Sequence, residues 1–153
     1  MESPGYELAA LLLGAFRSTI DALHETLAER GFPEARPAHG LALQAIGPGA
    51  VSVSDLGRRL GVSKQAAAKT ASRLEALGYI TRTDDPTDAR ARPIARSERG
   101  EALLYATAVV FEEQKRIWIA TLGEDRYAAM IEGLRVVAAG SSLVDTLAWF
   151  QAE

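Results

Sequence analysis

The side chains in this sequence that could do chemistry are arginines, lysines and one glutamine in the middle third of the chain. Residues 84–93 read DDPTDARARP, which holds three carboxylates and two arginines among turn-forming residues and cannot build a hydrophobic core. Residues 63–73 read SKQAAAKTASR and place two lysines, a glutamine and an arginine within three helical turns. Arginine and lysine donate hydrogen bonds to phosphates, and a glutamine amide can pair with the edge of an adenine. These residue types favour recognition of a polyanion over the making or breaking of bonds.

Catalysis and metal binding have little support in the sequence. There are no cysteines, which excludes disulfides, thiolate ligands and cysteine nucleophiles. Neither a glycine-rich phosphate loop nor a serine nucleophile motif is present. The two histidines, His24 and His39, match no metal-ligand spacing. We therefore expect no enzymatic activity, no cofactor and no metal site.

Charge is distributed unevenly along the chain. The net charge is −3, yet residues 52–100 hold ten Lys or Arg against six Asp or Glu. The rest of the sequence holds seven basic and fourteen acidic side chains. A basic segment between acidic flanks can turn one face towards a polyanion while the other faces repel it.

The bulk composition is that of one globular domain. The sequence has 153 residues, of which 48% are hydrophobic, enough to bury a core without disulfides. The apolar run at residues 8–16 is far shorter than the ~20 residues needed to cross a bilayer. Acidic rather than basic residues precede that run, which is unlike a secretion signal. We therefore expect a cytoplasmic protein with no membrane partner.

Apolar spacing and breaker residues divide the chain into helices and one hairpin. The long helices are predicted over residues 6–30, 37–46, 98–121 and 124–151. Between the second and third of these, Ser54 is expected to cap a short helix that ends at Gly61, and Ser63 to cap a helix over residues 64–77. Two short helices joined in this way form a helix-turn-helix. The segments YITRT and RPIAR then alternate as two strands around the DDPTD turn, which predicts a hairpin.

The segment from Val51 to Gly100 resembles the MarR-type winged helix-turn-helix transcription regulators. It reads VSVSDLGRRLGVSKQAAAKTASRLEALGYITRTDDPTDARARPIARSERG. The family's Asp-x-Arg pattern at the hairpin tip fits Asp88-Ala89-Arg90, and Gly100 falls at the expected distance from it. Arg96-Ser97 departs from the usual Leu-Thr and puts a charged residue where an apolar anchor is common. The resemblance covers essentially the full length.

The resemblance implies a mainly α fold with a small β-hairpin wing, a winged helix-turn-helix flanked by N- and C-terminal dimerisation helices. Residues 1–153 would form a single domain. Within it, the parts would be dimerisation helices at 1–33 and 121–153, a DNA-binding module at 37–100 and a linking helix at 98–121. The implied function is sequence-specific binding of double-stranded DNA as a homodimer on a pseudo-palindromic operator, and we expect a repressor.

The resemblance also implies roles for individual residues. Arg90 would enter the minor groove from the wing, and Asp88 would pair with Arg73 to fix the wing against the second helix of the helix-turn-helix. On the outward face of that helix, Gln65 is the candidate for reading a base, whereas lysines and serine would hold phosphates. The complete predicted DNA-binding set is Ser63, Lys64, Gln65, Ala68, Lys69, Ser72, Arg73, Arg90 and Arg92.

A small-molecule site is a further implication of the resemblance, because such proteins often bind aromatic or anionic effectors between the dimerisation helices and the winged module. The residues expected to line such a pocket are Phe16, His39, Phe111 and Trp118. The alternative for each aromatic residue is a place in the core or in the dimer interface.

Two other functions are compatible with the same pattern. The alanine-rich second helix offers few long side chains for reading bases, so the module could bind another protein and have no specific DNA target. A ligand-sensing dimer with weak nonspecific DNA affinity is the third possibility, and it would show salt dependence without sequence preference. Lys64, Lys69 and Arg90 favour the DNA-binding function, because a protein-binding surface has no need for phosphate-facing cations.

Overall fold

The computed structural model describes residues 4–84, 87 and 92–140. In these ranges it contains six helices and one two-stranded hairpin, which confirms the predicted mainly α fold with a wing. The elements are α1 (Gly5–Glu29), α2 (Pro37–Ile46), α3 (Val53–Leu60), α4 (Lys64–Ala76), β1 (Ile80–Arg82), β2 (Ile94–Arg96), α5 (Glu98–Leu122) and α6 (Glu124–Val137).

The helix-turn-helix is formed by α3 and α4. The prediction that Ser54 caps α3 is wrong: Ser52 does so, with its hydroxyl accepting a hydrogen bond from the amide of Asp55 at 3.0 Å. Helix α3 ends at Gly61, which adopts the left-handed conformation (φ 66°) that favours glycine. Ser63 then caps α4 as predicted, because its hydroxyl accepts from the third amide beyond it at 3.1 Å. These two caps leave only residues 61–63 between the helices.

The wing is an antiparallel pair in which Ile80 lies opposite Arg96 and Arg82 opposite Ile94. Val51, just before α3, adds a short third segment by exchanging two backbone hydrogen bonds with Ile94, at 2.9 and 2.8 Å. The hairpin is therefore joined to the start of the helix-turn-helix as well as to its end. The expected minor-groove residue Arg90 and its neighbour Asp88 lie outside the described residues.

One hydrophobic core holds the winged module together. Its fully buried side chains include Leu43 of α2, Leu56 of α3, Leu74 of α4 and Leu103 of α5. Helix α5 packs directly on the chain at Gly100, where an added Cβ would overlap the carbonyl oxygen of Tyr79. Glycine at this position therefore sets how closely α5 can approach the junction between α4 and β1.

Both ends of the described chain leave large apolar side chains outside this core. On α1, Leu8 and Leu11 are 66% and 64% exposed, and on α5 Ile117 is 50% exposed. Helix α6 buries none of its residues. None of the described helices has the length and hydropathy of a membrane span.

Candidate nucleic-acid interface

The inner face of α4 is built from small and branched apolar residues. Ala67, Ala71 and Leu74 are fully buried, and Gly57 of α3 lets the two helices touch, because a Cβ there would lie 3.3 Å from that of Ala67. This spacing of apolar residues fixes which side chains turn outward.

The outward face of α4 carries most of the predicted DNA-binding residues. Ala68 is half-buried. The exposed members are Ser63, Lys64, Gln65, Lys69, Ser72 and Arg73. The structure thus brings together, on one continuous face, the residues at which sequence reasoning placed phosphate and base contacts.

The cations on this face have no carboxylate partner among the described residues. No salt bridge in that part of the chain involves Lys64, Lys69 or Arg73. Arg82, by contrast, is engaged with a glutamate of α4. Unpaired cations on one helix face are available to a polyanion without first breaking an intramolecular contact.

A salt bridge that sequence reasoning missed ties α4 to the wing. The Nε of Arg82 on β1 donates to the Oε2 of Glu75 on α4 at 2.8 Å, and the Arg82 side chain is only 18% exposed. The sequence signal that could have predicted this pair is the acidic Glu75 before the turn at Gly78 and the basic Arg82 after it. The pair expected instead, between Arg73 and Asp88, involves a residue outside the described ones and stays a prediction.

At the base of the described hairpin, Arg92 lies beside Asp84. Its Nε is 3.6 Å from the Asp84 Oδ1, and both side chains are well exposed. A contact of this kind contributes little to stability. Arg92 therefore remains accessible at the edge of the wing.

Arg96, which occupies a position where an apolar anchor is common, takes part in packing by a different route. Its side chain is 15% exposed, and its Nε donates to the carbonyl of Leu43 in the last turns of α2 at 2.7 Å. Arg59 of α3 donates to the neighbouring carbonyls of Ala45 and Ile46 at 2.9 and 3.0 Å. Two arginines thus satisfy the C-terminal carbonyls of α2 and hold it against both the wing and α3.

A polar cluster joins the loop between α1 and α2 to the end of α4. The hydroxyl of buried Tyr79 donates to Glu34 at 2.9 Å, and Arg99 donates to the same carboxylate oxygen at 2.9 Å. The Arg99 guanidinium lies 5.0 Å from the ring centre of Phe32. Burial, together with the hydrogen bond to Glu34, raises the pKa of Tyr79 to about 12. A hydrogen bond from its own backbone amide, together with those from Tyr79 and Arg99, lowers the pKa of Glu34.

A mainly apolar cavity of 220 Å³ lies between α1, α2 and α5. Two of the predicted effector-pocket residues, Phe16 and Phe111, line it. His24 also lines it, and its Nε2 is buried without a hydrogen-bond partner in the described chain. Arg36 and Gln44 add two further polar groups to the wall. The sequence analysis did not predict His24 as a pocket residue. The available signal was its position between Leu23 and Leu27, two apolar residues on the inward face of α1.

The other two predicted pocket residues are not part of this cavity. His39 lines a separate cleft between α2 and α4, beside Lys69 and Arg73. Trp118 is half-buried further along α5 and lines neither space. His39 lies outside the cavity because it is on the side of α2 that faces α4. Gly40 and Gln44, on another side of the same helix, line the cavity.

Two short helices joined by a tight turn, followed by a hairpin that packs against the second of them, define a winged helix-turn-helix protein. Residues 36–91, which include α2, α3, α4 and β1, match the sequence model of the MarR family. Over this segment the chain is similar to MarR-family proteins, and the match covers the helix-turn-helix and the first strand of the wing.

Individual proteins show the same similarity. The HTH-type transcriptional regulator BilQ of Clostridioides difficile (strain CD3) is 28% identical over 86 residues, which cover 56% of this chain and 58% of BilQ. The matched region thus spans little more than half the length of that relative. The transcriptional regulator Tm0710 of Thermotoga maritima has a similar structure with a TM-score of 0.58 and 25% identity, covering 87% of this chain and 92% of that one. Bordetella bronchiseptica BpsR, described for the regulation of its DNA binding by 6-hydroxynicotinic acid, gives a TM-score of 0.60 at 20% identity, with 86% and 98% covered.

Proposed function

We propose that the protein is a sequence-specific, double-stranded DNA-binding transcription regulator that acts as a homodimer. The observation that carries this proposal is the outward face of α4, where Lys64 and Lys69, which have no carboxylate partner among the described residues, flank the exposed Gln65. A helix with such a face fits the major groove, where phosphate contacts fix its position and a few side chains reach base edges.

Within this proposal, the long polar side chains of α4 and the wing have separate tasks. Gln65 reads an adenine, Lys64 and Lys69 hold backbone phosphates, and Arg90 enters the minor groove from the wing. Because α4 carries so few long side chains for base readout, DNA shape supplies much of the specificity. Arg73 pairs with Asp88 and orients the wing tip, in addition to the Glu75–Arg82 contact at its base.

The homodimer is supported by the apolar surface at both ends of the described chain. Large apolar side chains of α1, α5 and α6 are exposed, and apolar surface of this kind, where it is contiguous, marks protein–protein contacts. A second copy of the chain would cover it through the segments 1–33 and 121–153. The two copies of α4 would then lie roughly 34 Å apart and read a pseudo-palindromic operator.

The cavity between α1, α2 and α5 supports control by a small molecule. Its walls are mainly apolar, with three polar groups: the guanidinium of Arg36, the amide of Gln44 and the Nε2 of His24, which has no hydrogen-bond partner among the described residues. This combination suits a small aromatic acid, whose ring packs on Phe16 and Phe111. BpsR is described for the regulation of its DNA binding by such an acid. In this protein the ligand would release the operator, so the protein would act as a repressor.

The decisive experiment is a binding titration with labelled DNA from the region beside the protein's own gene, with a scrambled fragment as the comparison. We expect preference for the specific fragment by about 10³ or more. Arg90→Ala should lower the slope of log affinity against log salt by about 1. Arg116→Gln, an exposed charge on α5 away from this face, is the matched control. Equal, weak binding of both fragments with no effect of Arg90→Ala would instead favour a protein-interaction module.

The effector is tested on the same complex. Addition of 6-hydroxynicotinic acid as the first probe should release labelled DNA from the wild-type protein and from Arg116→Gln, and much less from His24→Phe. Release from the wild type and from both variants at the same concentration would show that the cavity is not the site of action.

A further inference from the structure

A cationic cleft of 380 Å³ lies where the start of α2 meets the outer side of α4. Two of its lining residues, Lys69 and Arg73, are cations, and two others, His39 and Thr70, carry hydrogen-bonding side chains. Small alanine side chains form the remainder of the wall, and none of the lining residues is acidic. As described, the cleft therefore offers hydrogen-bond donors and positive charge to an anion.

The orientation of His39 is set by a backbone contact. Its Nδ1 accepts a hydrogen bond from the amide of Arg36 at 3.2 Å, so in the neutral ring the proton is on Nε2. No hydrogen bond within the described chain uses that Nε2. Burial, followed by the charges of Arg73 and Arg36, lowers the pKa of His39, while Glu34 acts in the opposite direction. The ring of Tyr79, 6.1 Å away, completes its surroundings. His39 is thus held as a neutral donor.

We propose that this cleft holds one backbone phosphate of bound DNA, with the Nε2–H of His39 and the hydroxyl of Thr70 as neutral donors and Lys69 and Arg73 as the charges. This inference rests on the proposed function, and it adds a contact from α2, a helix to which no DNA-binding residue had been assigned. A backbone phosphate fits better than a free effector because the cleft shares Lys69 and Arg73 with the face that would lie along the duplex.

The consequence for DNA recognition is positional. A phosphate held between α2 and α4 fixes how deeply and at what angle α4 enters the groove, without reading any base. Loss of the His39 donor should therefore weaken specific and nonspecific DNA equally. A loss of base readout would reduce the preference for the specific fragment instead.

Two substitutions of His39 separate its two roles: the Nε2–H donates to the phosphate, and Nδ1 accepts from the Arg36 amide. In His39→Asn the side-chain oxygen can still accept from the Arg36 amide, but no donor reaches the Nε2 position. His39→Gln places an amide nitrogen near the Nε2 position. We expect His39→Asn to weaken binding of both the specific and the scrambled fragment by about tenfold, a typical loss for a hydrogen bond to a charged group. His39→Gln should stay within about threefold of wild type.

Two further measurements test whether the variants fold normally and whether the phosphate in the cleft belongs to DNA or to a free anion. Thermal unfolding should be similar for the two variants, which shows that any difference in binding is local. The ¹⁵N signal of the His39 Nε2 should shift when DNA is added and stay unchanged with inorganic phosphate at the same ionic strength.

Three results would overturn the inference. One is wild-type affinity for His39→Asn, and another is an equal loss in both variants. The third is an Nε2 shift with inorganic phosphate but not with DNA, which would indicate a site for a free anion. In each of these cases wild-type protein that still prefers the specific fragment keeps the proposed function intact. Wild-type protein that binds no DNA rejects both proposals together.

Discussion

Glu75 near the end of α4 and Arg82 on β1 form a salt bridge of 2.8 Å across the turn that joins α4 to the wing. The contact links the element proposed to enter the major groove with the element proposed to reach the minor groove. We expect the pair to orient the wing rather than to stabilise the fold, because a pair in which one partner is more than a third exposed contributes only about 0–1 kcal/mol to stability.

Glu75→Gln tests this role, because simple electrostatics and wing orientation predict opposite signs. Removal of a negative charge from a DNA-facing region would strengthen binding. Loss of the contact that holds the wing should weaken binding, and we expect a decrease of about fivefold, equivalent to roughly 1 kcal/mol. Titration with the specific fragment measures it. Glu112→Gln, which breaks the exposed Glu112–Lys115 pair on α5, is the matched control, and tighter binding by Glu75→Gln would refute the orienting role.

Gly100→Ala should destabilise the fold by about 2 kcal/mol, because the added methyl group overlaps the Tyr79 carbonyl and forces α5 away from the wing. Gly133→Ala on α6, where an added Cβ meets nothing within 4 Å, should be neutral or stabilise by about 0.5–1 kcal/mol. Urea unfolding of both variants measures the difference. Equal stability of the two would mean that α5 can shift without cost.

Leu11→Glu should convert the proposed dimer into a monomer. Leu11 is 64% exposed on α1, and a carboxylate placed in a buried apolar interface carries a desolvation cost of several kcal/mol. Light scattering after size-exclusion chromatography measures the mass. Tyr105→Glu, at a 73% exposed site on the first half of α5, should leave the mass unchanged. A Leu11→Glu protein that remains dimeric would move the interface away from α1.

Stability should fall when the pH drops through the range in which His39 protonates. The pKa of His39 is lowered in the folded protein, first by burial and then by Arg73 and Arg36. Below about 6.5, the unfolded chain therefore binds this proton more readily than the folded one, and the free energy of unfolding decreases. Urea unfolding at pH 7.5 and pH 5 should show a larger decrease for wild type than for His39→Asn. The same decrease in both would show that His39 does not contribute.

Much of the architecture was accessible from the sequence because it depends on local signals. Gly61 and Gly78 end the two helices of the helix-turn-helix, and Ser63 and Ser97 begin the helices that follow. These residues act on the nearest turn of backbone, so their effect does not depend on the rest of the fold. Ser54 was the exception, because Ser52 stands two positions earlier with the same capping chemistry and is the residue that makes the bond.

Contacts between distant segments were not accessible in the same way. Arg96 appeared as a defect at an apolar position, yet it bonds to Leu43, fifty-three positions away, and so satisfies the end of α2. His39 was grouped with aromatic residues by type, but the rotation of α2 turns it to α4 and away from the cavity that contains His24. Nothing in the local spacing of either residue reveals which neighbour the tertiary fold will supply.

The close approach of Gly100 to Tyr79 would limit the operators that the proposed dimer accepts. The Tyr79 carbonyl also accepts a hydrogen bond from the Ser97 amide at 3.0 Å. The wing and the first turn of α5 are therefore in tight contact beside Tyr79. In each copy of the chain, the winged helix-turn-helix would therefore move as a rigid body together with the start of α5. One base pair inserted between the half-sites displaces the second by about 3.4 Å and a tenth of a turn. That mismatch would have to be absorbed by bending of the long helices, so the spacing between half-sites should be more strictly required than the bases within them.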